Sequence, residues 1–94
     1  MKVKVEESCG NVFTDLGFPP EEAAVLLMRA DLMAALQTFI ETKGLTQVKA
    51  AELFGVTQSR ISDLVRHKWK RFSLETLIVF ASKAGIRIRL EYAA

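Results

Sequence analysis

One glycine, Gly55, does most to limit what this chain can fold into. It lies between Phe54 and Val56 inside residues 47–66, QVKAAELFGVTQSRISDLVR, and interrupts a helical pattern there. Glycine takes φ > 0 without a Cβ clash, so this position ends one helix in a left-handed cap and turns the chain. Ala51, four residues earlier, is small enough to let a second helix approach closely. Beyond the turn, Val56, Ile61 and Leu64 supply an apolar underside, and Ile61 and Leu64, three apart, share one face. Thr57 is the expected N-cap, since its hydroxyl can accept a bond from an orphan N–H in the next turn. The stretch predicts two short helices joined by a tight turn.

Together these positions fall in the register of a helix-turn-helix, whose second helix enters the major groove of DNA. The bland alternative is an ordinary helical hairpin with a merely solvated polar face. The outward residues weigh against it. Gln58, Ser59, Ser62 and Asp63 are short polar groups able to read base edges, and Arg60 and Arg66 are placed for phosphate or guanine. A helix that needs only solubility more often alternates Glu and Lys at i, i+4.

The charge distribution points the same way. A formal net charge of +2 hides an asymmetry: residues 1–47 carry four Lys/Arg against seven acids, and residues 48–94 carry nine against four. Five of those nine, Arg60, Arg66, Lys68, Lys70 and Arg71, fall between positions 60 and 71, opposed only by Asp63. A charge run by itself reads as a solvated face. Overlapping the end of a recognition helix, this one reads as a phosphate-facing patch.

Ninety-four residues, half of them apolar, make one small domain with enough for a core and a surplus that a partner subunit could cover. The lone Cys9 forms no intrachain disulfide and joins no metal-ligand cluster, so a reducing cytoplasm is the simplest compartment. No unbroken apolar run reaches the ~18 residues of a membrane span, and no signal-peptide core is present near residue 1. A soluble, cytoplasmic chain without cofactor or metal is expected.

Taken in order, residues 1–10 read as an arm: 2–8 are short and charged, either frayed or an edge strand, with disorder favoured. Residues 11–18, NVFTDLGF, mix Val12, Phe13, Leu16 and Phe18 with turn formers, a single turn that pins the arm to the core. Pro20 suits the first position of a helix, and Glu21 and Glu22 suit its positive end. Helical periodicity then runs to Lys43: Met28, Leu32, Leu36 and either Phe39 or Ile40 form a broad apolar stripe. Val25, Leu26 and Leu27 make the first turns apolar nearly all round, which suggests burial against the core and a second surface. Asp31 could cap a new start, giving two helices, or sit within one long helix. Lys43-Gly44 is a stop signal and Thr46 the next N-cap.

After Arg66 comes the basic loop HKWKRF, whose Trp69 and Phe72 are expected to turn inward as core anchors rather than stack on bases. Ser73 caps a last helix with a buried stripe of Leu74, Leu77, Ile78 and Ala81, ended by Gly85. In residues 86–92, IRIRLEY, the period changes to two: Ile86, Ile88, Leu90 and Tyr92 alternate with charged residues, as in a half-buried strand. A lone strand needs a partner. Within the chain only residues 2–6 could serve; otherwise the strand pairs with its copy in a second subunit. The second is favoured, because symmetric pairing suits a C₂ dimer and dimers suit DNA half-sites.

With these residues in view, the chain resembles the Xre type of helix-turn-helix protein, the lambda-repressor-like fold, and within it the HigA-like branch of antitoxins and small regulators. The likeness rests on DLGF at 15–18, residues 29–32, GLTQ at 44–47, the motif itself and FSLETL at 72–77, and spans about residues 11–92. It implies a mainly all-α bundle, to which the alternating tail adds a C-terminal strand pairing across a dimer. It also implies that Gln47 orients on a phosphate while Gln58, Ser59, Arg60, Ser62 and Asp63 face the groove. Asp63 departs from relatives that offer a neutral or basic group there; it could accept from cytosine N4, or pair with Arg60 or Arg66 and position them. A double-stranded operator follows from the resemblance, with a RelE/HigB-type RNase toxin as the protein partner of such antitoxins; the homodimer follows from the alternating tail.

Two function classes compete: a DNA-binding repressor, and an interaction module whose main work is to neutralise a toxin. An enzyme ranks third. His67 and Cys9 are the only histidine and thiol and lie far apart in the chain, and no glycine-rich phosphate loop appears. For His67 the plain reading is a solvated or phosphate-contacting group at a helix end.

Overall fold

The computed structural model describes residues 2–3 and 12–89, with the side chains of residues 2, 3 and 69 outside that description. The elements run β1 (Lys2–Val3), α1 (Val12–Asp15), α2 (Pro20–Thr42), α3 (Gln47–Phe54), α4 (Gln58–Val65), a 3-10 turn (Trp69–Arg71), α5 (Leu74–Lys83) and β2 (Arg87–Ile88). The fold is a mainly helical bundle, as expected. α2 is its axis: Leu32, Met33, Ala35, Leu36 and Ile40 on its second half are buried against α3, α4 and α5.

α2 is one continuous helix of 23 residues, so Asp31 lies inside it and caps nothing. Pro20 opens it where its missing N–H costs no bond, with Glu21 and Glu22 in the first turn. Gly44, at φ +63°, ends it. Arg29 and Asp31 interrupt its apolar run, yet over its whole length α2 is long and apolar enough to match a membrane span. That qualifies the expectation drawn from unbroken runs. Its buried stripe makes α2 the central helix of the bundle.

Each of α3, α4 and α5 begins with a hydroxyl cap. Thr46 accepts from Lys49 N–H at 3.1 Å, Thr57 from Arg60 N–H at 3.2 Å and Ser73 from Thr76 N–H at 3.1 Å. Gly55 closes α3 in the left-handed conformation, φ 68° and ψ 36°, and Val56 N–H returns to Ala51 C=O. Lys83 Nζ adds a bond to the Phe54 carbonyl at 2.9 Å, tying the end of α5 to the turn.

The core's aromatic centre is Phe54, Phe72 and Phe80, with Phe80 5.3 Å from Phe54 and 6.1 Å from Phe72 between ring centroids. Phe72 thus turns inward as expected; the Trp69 side chain lies outside the described residues. The stripe expected on α5 needs correction: Leu77, Phe80 and Ala81 are buried, Leu74 is half-buried, and Ile78 is exposed. The two neighbouring rings draw Phe80 in and rotate Ile78 outward.

The tail requires a second correction. β2 pairs in parallel with β1 of the same chain, Lys2 opposite Arg87 and Val3 opposite Ile88. Residues 2–3 are therefore a strand rather than part of a disordered arm, and pairing of the tail with a second subunit is not what occupies this edge. Ile86 is buried in the core and Ile88 packs against it, so the two described apolar positions of the alternation are covered within the chain. Leu90, Tyr92 and residues 4–11 lie outside the described residues.

Candidate nucleic-acid interface

α4 owes its position to its own underside. Ile61 and Leu64 are fully buried, and Val56 and Val65 pack beside them. That leaves Gln58, Ser59, Ser62 and Arg66 on the outward side, with Gln58, Ser59 and Arg66 exposed and Ser62 half-buried. Ser59, Ser62 and Arg66 follow at i, i+3 and i+7, one stripe of a helix. Gln47 is exposed at the start of α3 and Thr57 at the start of α4, where its hydroxyl is engaged in the cap.

The far end of α4 is held by a residue that sequence reasoning missed. Gln37, on α2, donates from Nε2 to the Leu64 carbonyl at 2.7 Å, and the same nitrogen lies 3.2 Å from His67 Nδ1. The carbonyls of a helix's last turn lack intrahelical partners, so this bond fixes both the end and the direction of α4. Within α2 the only signal was a polar group adjoining the apolar stripe at Leu36 and Ile40. His67 follows with φ 60°, a left-handed turn built on a non-glycine residue. Lys68 N–H then reaches back to the Asp63 carbonyl at 3.1 Å.

The basic loop is bound to α4 by a closed set of contacts. Arg60 donates from Nη1 to the Arg71 carbonyl at 2.7 Å, with its guanidinium 4.1 Å from the centre of the Phe72 ring. Arg71 returns the contact through Nη1 to Asp63 Oδ2 at 3.1 Å, and Lys68 Nζ lies 3.6 Å from Asp63 Oδ1. Asp63 therefore pairs with Lys68 and Arg71, not with Arg60 or Arg66. Of its two expected behaviours, the structure shows the pairing with different partners. Arg60 is turned back onto the loop rather than extended over the polar outward side of α4.

The arrangement leaves a polar helix face, Gln58, Ser59 and Ser62, bordered on the C-terminal side by Arg66, Lys68, Lys70 and Arg71, all four exposed. Polar groups that can donate and accept, next to cations that can meet phosphate, are what direct readout of duplex DNA requires. Among the described residues no cluster of His, Cys, Asp and Glu could hold a metal ion.

The family follows from this geometry and from the chain itself. A family model described as a helix-turn-helix domain matches residues 12–92, and the chain belongs to that family. The match covers α1 to β2, so the whole bundle rather than the motif alone is the family's unit. No curated protein matches the chain. A helix-turn-helix domain makes the protein a DNA-binding regulator in the broad sense.

Proposed function

We propose that the protein is a sequence-specific repressor of the Xre type, which occupies an operator in double-stranded DNA as a homodimer in the cytoplasm. α4 lies in the major groove, Gln58, Ser59 and Ser62 meet base edges, and Gln47, Arg66, Lys68, Lys70 and Arg71 meet phosphates. The observation that carries the reading is the exposed polar face of α4 set beside four exposed cations. No catalytic role is assigned to any residue.

The test is selection from a random-duplex pool with the bound sites sequenced. The expected result is an inverted repeat with half-sites about 10 bp apart, one turn of the duplex. A single half-site would keep the DNA reading and remove the dimer. Salt-sensitive binding with no enriched sequence would remove sequence-specific readout.

A second reading rests on a different surface. Val12, Leu16 and Val25 are exposed on α1 and the first turns of α2, beside the acids Asp15, Glu21 and Glu22. An apolar, acidic surface suits a basic protein partner, which favours a HigA-like antitoxin that neutralises a RelE/HigB-type RNase. Hydrogen exchange with and without such a toxin decides it. Protection gained over residues 12–26 supports this surface, and none gained removes it.

A further inference from the structure

We infer that Asp63 is an internal stand-in for a DNA phosphate: it holds Lys68 and Arg71 in place and so restrains binding to DNA of arbitrary sequence. The inference rests on the DNA-binding reading above and adds a positioning residue to it. Asp63 is on α4 itself, in the middle of the helix proposed to read bases, and its side chain is only 16 % exposed. Each of its two oxygens faces a different cation, Oδ1 to Lys68 and Oδ2 to Arg71. Those cations are 43 % and 60 % exposed, so their far sides remain open to an incoming anion. A carboxylate offering two oxygens to two cations presents the same chemistry as a backbone phosphate.

The loop is gripped through its main chain as well. Arg60, three residues before Asp63 on α4, bonds the Arg71 carbonyl, so one helix face holds both the backbone and the side chain of Arg71. The two cations are thereby given one direction relative to α4. Phosphates meet them in that direction when α4 is seated in the groove. On an arbitrary duplex, where the protein rests on the backbone alone, cations paired with Asp63 reach the nearest phosphate only by giving up that pair. Both cations are exposed, so the pairs are weak and give way readily to a phosphate that arrives in the held direction. The pairing acts on charge placement and not on base identity.

The experiment compares wild type with Asp63→Asn and Asp63→Glu. It measures affinity against salt on the selected site and on a scrambled duplex, and repeats the site selection for each variant. Asp63→Asn is expected to bind the scrambled duplex more tightly. Its log K–log salt slope there should steepen by about 0.9 for each cation released to a phosphate. Base preferences at every position should stay as in wild type, and Asp63→Glu should restore the shallower slope. Relaxed preference at one position per half-site would overturn the inference and make Asp63 a base reader. An unchanged slope with unchanged preferences would equally overturn it. Elution from a heparin column separates this inference from the DNA reading. Later elution of Asp63→Asn than of Glu41→Gln, which loses the same charge from an exposed position on α2, supports the held cations even if no duplex is bound specifically, and identical elution of the two removes them.

Discussion

At the scale of single residues, the two left-handed positions around α4 behave oppositely. Gly55, before the helix, has φ +68°, and a Cβ built there would lie 3.2 Å from Lys83 Nζ. That nitrogen is the donor to Phe54 C=O, so an added methyl disturbs both the backbone conformation and the bond that ties α5 to the turn. Gly55→Ala is expected to cost about 1–2 kcal/mol from the backbone alone. His67, after the helix, takes φ 60° with a side chain in place, a conformation that Gly adopts freely. His67→Gly should therefore gain up to about 1 kcal/mol, less whatever its contact with Gln37 contributes. Urea unfolding of the pair checks both signs at once. A Gly55→Ala variant as stable as wild type would mean that the turn relaxes out of the left-handed region without loss.

At the scale of elements, α2 carries an ionisable group that the fold does not favour as a charge. Desolvation by burial raises the Asp31 carboxyl above its ordinary value of 3.8. A raised carboxyl contributes stability that is fully present below the unfolded value and is lost as pH rises through the folded one. Asp31 is exposed overall, so near neutral pH its charge costs the native state only a little. Asp31→Asn should raise the urea midpoint at pH 7 and bring no gain at pH 3, where wild type is already protonated. An equal gain at both values would assign the effect to packing. The same helix shows what the sequence made legible and what it did not. Its start at Pro20 and its stop at Gly44 are local signals, as are Thr46, Gly55, Thr57 and Ser73, and the elements they delimit stand where expected. The outward side of α4 was legible for the same reason, since Ile61 and Leu64 alone determine which side turns inward. Partners were harder. Gln37 finds its acceptor 27 residues away, and β2 finds β1 at the other end of the chain. Asp63 pairs with Lys68 and Arg71 rather than with Arg60 and Arg66, each only three residues away in sequence. Ile78 and Phe80 exchange burial because of rings on other elements. Periodicity specifies a face; it does not specify what meets that face.

At the scale of the whole molecule, the chain is elongated, 40 × 24 × 20 Å, and its buried residues do not all belong to one cluster. The main core joins the second half of α2 to α3, α4, α5 and Ile86. Ala23 and Leu26 are buried outside it, where α1 packs on the first turns of α2, with Phe13 and Phe18 6.2 Å apart at that end. A small apolar cluster at one end of a long helix opens at lower free energy than the core it adjoins, because fewer buried contacts resist it. The α4 face and its cations depend on the main core, so opening of the α1 end should leave that surface intact. Native-state hydrogen exchange in the free protein should accordingly show amides 26–28 exchanging faster than amides 36–40, although all belong to one unbroken helix. Uniform protection along α2 would mean that the helix opens as a unit with the main core. A gradient would instead make the two ends separable in energy, and a protein bound at α1 could then order that end without altering the geometry of α4.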